Sequence, residues 1–237
     1  MKTVTNSLKI LVLGVWCLVC VGCGGKSQTP TPEPTAPLPT AGIAAQQVAV
    51  LPLTLVAAED SLRWGGILGE RRAALTKADS VFGSLLQARA PEVTWILPDA
   101  LRRAARRAPG IAPDPDQMGS AILLHPSKQS PEVLPDPLRN ELRTLAALAG
   151  SGGGRYVLVP AGLVFRRTTG PADARSGGAA ARPIPPPDRS SGTAELTIVL
   201  ADVRTGRVGF RTVARGEGDD PWTALTRAVK NLTPGLP

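Results

Sequence analysis

The chain has 237 residues, with 27 Lys and Arg against 19 Asp and Glu for a formal charge of +8 at pH 7, and its 25 Gly and 24 Pro gather mainly in two tracts. That leaves room for one ordinary domain plus peripheral segments, and the positive excess favours anionic neighbours without specifying a fold. Cys17, Cys20 and Cys23 all precede the part expected to fold, and His125 is the one histidine, so neither an internal disulfide nor a cysteine or histidine metal cluster can form there. No cofactor motif is present, and no cofactor is expected.

Residues 1–22 begin with Lys2 and Lys9 and continue into an apolar run from Ile10 to Val21. The run is shorter than the ~20 apolar residues of a spanning helix and reads as an export signal. It ends in Cys20-Val21-Gly22-Cys23-Gly24-Gly25, with a small residue ahead of a cysteine and polar composition after it. This junction resembles the bacterial lipoprotein class, whose signal is cut before a cysteine that then carries lipid. The match lies in Val21, Gly22 and Cys23, with Cys20 where that class usually has leucine. The resemblance implies lipidation at Cys23, a membrane partner through that anchor and, with Gly24 rather than an aspartate following, sorting to the periplasmic face of the outer membrane. An uncleaved anchor or ordinary secretory cleavage, with the cysteines incidental, is the alternative use of the same run. Attached acyl chains contribute about 0.8 kcal/mol per buried CH₂, so more than one chain anchors stably. Residues 23–46 then read as the lipidated cysteine and a proline-rich tether, since Thr29-Pro30-Thr31-Pro32-Glu33-Pro34 favours an extended chain of about 3 Å per residue.

Residues 47–233 read as a single α/β envelope domain. Val48-Ala49-Val50-Leu51, ended by Pro52, is a short buried strand. A helix is expected over residues 77–89, where Val81, Phe82, Leu85 and Leu86 make an apolar stripe; Gly65-Gly66 interrupts the stretch before it. Val93-Thr94-Trp95-Ile96-Leu97 is a second strand, and Pro98-Asp99 opens a short helix. Along it Leu101, Ala104, Ala105 and Ala108 make one face, and Arg102, Arg103, Arg106 and Arg107 stand on the other. Arginine pairs well with carboxylate and phosphate, so these four are a candidate anion or partner contact, weighed against the ordinary reading of a solvated face.

Asp114-Pro115 and Asp136-Pro137 each put a capping carboxylate before a proline at the first helical position. They predict helices through Met118, Ile122 and Leu123 and through Leu138, Leu142, Leu145 and Leu148. The glycine run at 150–154 leads from helix to strand and lacks Gly-Lys-Ser or Gly-Lys-Thr, so it reads as a connection and not a phosphate loop. A third strand, Tyr156-Val157-Leu158-Val159-Pro160, resumes or bends at Gly162. Residues 168–192 lose all periodicity and read as a flexible insertion.

Beyond it, Leu196, Ile198 and Leu200 alternate with Glu195, Thr197 and Val199, and Val208, Phe210 and Thr212 alternate with Gly209, Arg211 and Val213. The period of two gives a hairpin with one largely apolar face. At its turn Asp202 can bond the backbone and Gly206 can take positive φ, as a short hairpin with a bulge needs. Asp220-Pro221 caps a last helix through Trp222, Leu225, Ala228, Val229 and Leu232. The predicted fold is α/β (α+β): a mixed sheet of about five strands ending in an antiparallel hairpin and covered by helices. The strand at 48–52, the stretch at 154–162 and the turn at 202–208 resemble the sequence marks of the CsgG-like and TolB amino-terminal-domain-like envelope modules. The resemblance spans residues 48–232 and implies that fold, an envelope location and an accessory role in assembly. It brings no catalytic residues, and neither TolB's propeller nor a pore-forming pair of long hairpins is seen.

Ser80, Ser84 and Ser120 lie outside any Gly-x-Ser-x-Gly elbow, and Glu59-Asp60 and Asp219-Asp220 read as turn and cap residues. The expectation is a non-enzymatic, membrane-tethered lipoprotein that binds an envelope protein through an open sheet edge or through the arginine face. Binding of an anionic polymer, glycan or lipid head group, by that face is the alternative, and periplasmic hydrolysis the third reading. Export and a single tyrosine argue against nucleic acid as a partner.

Overall fold

The structure, a computed structural model, describes residues 35–125, 132–150, 154–168 and 191–233. The export signal, Cys23, the proline run before Thr35 and most of the insertion at 168–192 lie outside the described residues.

Three long strands form the frame: β4 (Tyr156–Arg167), β5 (Gly192–Asp202) and β6 (Arg207–Gly218), each antiparallel to the next. β1 (Gln47–Val50) lies parallel to β4 on its other side, and β3 (Thr94–Ile96) lies parallel to β1. A sixth strand, β2 (Val56–Ala58), also pairs with β4, at Leu163 to Phe165. β1 and β2 thus share one lane, and the expected five strands become six because that lane is broken at residues 51–55. Pro52 lies in the gap, and Pro160 of β4 directs its missing donor toward the same lane, so neither can supply a ladder N–H. The bend expected at Gly162 is a register shift between Pro160 and Gly162, which returns Leu163 and Phe165 to the same face as Leu158.

Helices cover both faces. α2 (Arg71–Arg89), preceded by the single turn α1 (Gly65–Leu68), packs Phe82 and Leu86 beside Leu225 and Val229 of α5 (Pro221–Leu232) on the face of Leu158, Ile198 and Leu200. On the other face α3 (Pro98–Arg107) and α4 (Asp136–Ala149) bring Leu101, Leu138, Leu142 and Leu145 against Ala49, Val157, Val159 and Val199. The hairpin therefore has more than one apolar face: Val199 and Ala201 are buried as fully as Ile198.

Local chemistry explains where helices begin and where the expectation fails. The Asp114 side chain accepts from Asp116 N as expected, yet only two 3-10 turns follow, Pro115–Gln117 and Ser120–Leu124, with Gly119 between them and Ile122 59% exposed. At α4 the cap position is Pro135, and Asp136 makes no capping hydrogen bond. At α5 the device works: Asp220 accepts from Trp222 N at 2.9 Å and Thr223 N at 3.0 Å, and from the Thr223 hydroxyl at 2.6 Å. Asp220→Ala should cost about 1–2 kcal/mol in urea denaturation at pH 7. The Thr223 hydroxyl, chiefly, holds the Asp220 carboxyl below its usual range. Its contribution is therefore complete above the unfolded-state pKa and is lost as pH falls through the lowered folded value, so the difference between wild type and variant should shrink in acid.

The hairpin turn forms as read. Asp202 accepts from Arg204 N and Thr205 N, Gly206 has φ +76°, and a register shift at the turn end pairs Leu200 with Phe210 but Ala201 with Val208. The end of the expected tether is different: residues 35–46 belong to the fold. Leu38 and Ile43 are buried in the core beneath α2 and α5, Leu38 N donates to Leu232 O at 2.8 Å, and Arg215 N donates to the Thr35 hydroxyl at 2.9 Å. The outer edge of β6 is thereby occupied in part by this chain, with Asn231 donating to Arg215 O, Arg227 to Glu217 O and Val208 N to Glu132 O. The edge that invites strand addition in the sequence is largely satisfied from within.

Candidate functional site

The arginine face of α3 divides in two. Arg103, Arg106 and Arg107 are exposed, and among the described residues they make no ion pair. Arg102 is half-buried and clamped: it donates to Asp79 at 2.7 Å, to Asp99 at 3.0 Å and through two nitrogens to Asp116 at 2.7 and 3.0 Å. The hydrogen bond to Asp116, chiefly, raises the Arg102 pKa further, so this guanidinium stays charged. It is an internal tie between α2, α3 and the 3-10 turn at Pro115–Gln117.

Asp79 explains why that tie exists. Leu53 lies in the break between β1 and β2, where its N–H has no ladder partner, and Asp79 accepts it at 2.8 Å. Thr54 O in the same break accepts from Arg71 at 2.8 Å, and the Thr54 hydroxyl meets that of Ser120 at 2.8 Å. Buried backbone must be paired, and here side chains replace the missing strand. Burial pushes the Asp79 carboxyl up, and Leu53 N–H and Arg102 pull it only part of the way back.

Above this tie lies a cleft of about 660 Å³ lined by Leu53, Arg71, Arg72, Thr76, Arg102, Arg106 and Gln117, with Asp114 and Asp116 on the α3 side. It sits at the carboxyl ends of β1 and β3. From β1 the chain crosses through α2 to β3 on one side, and from β3 it crosses through α3 and α4 to β4 on the other. That reversal is where open α/β sheets leave a crevice for ligands. A second cleft, about 520 Å³, flanks β2 beside Trp64 and Gly66; the charge on its rim is partly spent, with Glu59 accepting from Arg166 and from Arg167 N.

The structure thus brings Arg102 and Arg106 to one cleft and leaves Arg103 and Arg107 on the outer side of α3. Arg71 and Arg72, unremarked in the sequence, join them because α2 starts at Arg71, ahead of the expected residue 77. The pair of adjacent arginines after Glu70 was the available signal. Of the candidate nucleophiles, Ser120 is buried against Thr54, Ser84 donates to Val81 O within its own helix, and His125 is exposed.

No family model matches the chain, and no curated protein matches it. Two solved structures do, both PelC dodecamers from Paraburkholderia phytofirmans. One carries a point substitution and is 16% identical, with 85% of this chain and 93% of that chain covered, at a TM-score of 0.36. The other is 13% identical, with 86% and 96% covered, at a TM-score of 0.33. A likeness of that size carries no function across, and the resemblance to CsgG-like and TolB-like modules rests on its sequence marks, which fall on β1, β4 and the β5–β6 turn.

Proposed function

We propose that this chain is an exported, lipid-anchored binding domain of the bacterial envelope, tethered on the periplasmic side of the outer membrane and without a reaction of its own. The observation that supports it is how early the described fold begins. Thr35 and Leu38 are already fastened to β6 and α5, so the spacer from Cys23 has a contour of about 40 Å at most. A domain held that close to a membrane is suited to capturing another envelope component, and its open cleft is the surface on offer.

Fractionation with intact-mass analysis tests the anchor. Wild type should sediment with membranes and carry a diacylglycerol-type mass on Cys23, and Cys23→Ala should appear in the soluble fraction without it. Crosslinking of the membrane-bound form should return an envelope protein. A wild-type chain that is unlipidated and freely soluble would remove the reading.

A further inference from the structure

Arg72 of α2 and Arg106 of α3 reach the same cleft from different helices, both exposed and, among the described residues, without an ion pair. The cause lies next to them. Arg102 has drawn in Asp79, Asp99 and Asp116, so the neighbouring carboxylates are already engaged, and Asp114 is turned to the backbone N–H of Asp116. Guanidinium groups sharing a cleft and not themselves in ion pairs favour an anion between them.

We propose that this cleft binds the carboxylate of an acidic sugar, such as a hexuronate unit of a glycan. The proposal deepens, and rests on, the reading of the chain as a binding domain. Arg71, Arg72 and Arg106 line the cleft without an ion pair among the described residues, while Arg102 is committed to Asp79, Asp99 and Asp116. Asp114 and Asp116 on the same lining oppose a phosphate dianion more strongly than a singly charged carboxylate. Gln117 supplies a donor and an acceptor for sugar hydroxyls, while the Thr76 hydroxyl, which donates to Arg72 O, and the second oxygen of Asp114 can accept from them. Arg71 is already oriented by Thr54 O, and the clamped Arg102 forms a fixed wall, so the site is built before ligand arrives. The volume, about 660 Å³, lies within the range of small-molecule sites.

The test is calorimetric titration of the full chain in detergent with trigalacturonate, maltotriose and inorganic phosphate. Trigalacturonate should bind saturably, more weakly as salt rises, and maltotriose should give no binding. Arg72→Gln and Arg106→Gln should each weaken binding by about tenfold or more with the thermal midpoint unchanged, and Arg103→Gln and Arg107→Gln should leave it as it is. Absence of saturable binding overturns the proposal. So does an equal loss in Arg103→Gln, which would move the contact to the outer face of α3, or displacement of trigalacturonate by phosphate at equal concentration, which would change the ligand. Detergent makes the titration independent of lipid on Cys23, so a failed cleft leaves the anchor standing, and an unlipidated chain leaves the titration standing.

Discussion

Gly216→Ala should cost the protein a large share of its stability. A Cβ at that position would lie 2.1 Å from Ala228 N and 2.5 Å from Ala224 O. Both are backbone atoms of α5, so no change of rotamer relieves the contact, and the helix must lift from β6. Overfilling a core ordinarily costs about 1–3 kcal/mol because side chains can yield. Here they cannot, and a loss above about 4 kcal/mol is expected, a large share of the roughly 5–15 kcal/mol that holds a domain together. Urea denaturation followed by circular dichroism measures it. Gly209→Ala is the control: its Cβ would meet nothing nearer than Leu200 O at 3.9 Å, and its midpoint should stay within a few tenths of a molar of wild type. Equal midpoints for both variants would mean that α5 does not sit on Gly216.

Arg102→Met should be the second severe loss, about 3–5 kcal/mol at neutral pH, because it strands a buried carboxylate. Asp79 is 8% exposed and would keep only Leu53 N–H. The pairs to Asp99 and Asp116 contribute little, since those carboxylates are far more exposed. The pH dependence carries the sign. Burial already holds the Asp79 pKa above its usual range, and removing Arg102 raises it more. A carboxyl raised in the folded state costs stability as pH rises from its unfolded-state pKa up to the raised value, where the cost is complete, so the loss in Arg102→Met should be larger at pH 8 than at pH 5. Adding Asp79→Asn, which still accepts from Leu53 N–H but carries no charge, should recover most of it, and the double-mutant cycle gives the coupling directly. A loss independent of pH and untouched by Asp79→Asn would show that the clamp does not set the stability of this region.

Both predictions turn on contacts between separate elements, and the division between what was legible and what was not follows from that separation. The β5–β6 turn could be read because Asp202 and Gly206 act on the backbone within a few residues of themselves, and the cap of α5 because Asp220 bonds Trp222 N and Thr223 N next to it. The mixed sheet followed from runs whose period is set by the strand alone. The same Asp-Pro signal misled at Pro115, where beside Gly119 it produced only 3-10 turns; at Pro137 the expected helix forms, with Pro135 rather than Asp136 at the cap position.

The arginine face shows the limit most plainly. Arg102, Arg103, Arg106 and Arg107 look alike along α3, and one helix gives no reason to separate them. Their difference comes from α2 and from the break in the β1–β2 lane, where Leu53 N–H required Asp79 and Asp79 required Arg102. Leu38 and Ile43 could be seen as apolar in a tether, but not that α5 would receive them. The strand and helix content and the hairpin are therefore properties of short stretches of chain. The cleft, the buried ion pair and the closeness of α5 to Gly216 arise where separate stretches meet, because burial and charge pairing depend on what lies across the gap and not on what lies beside it in sequence.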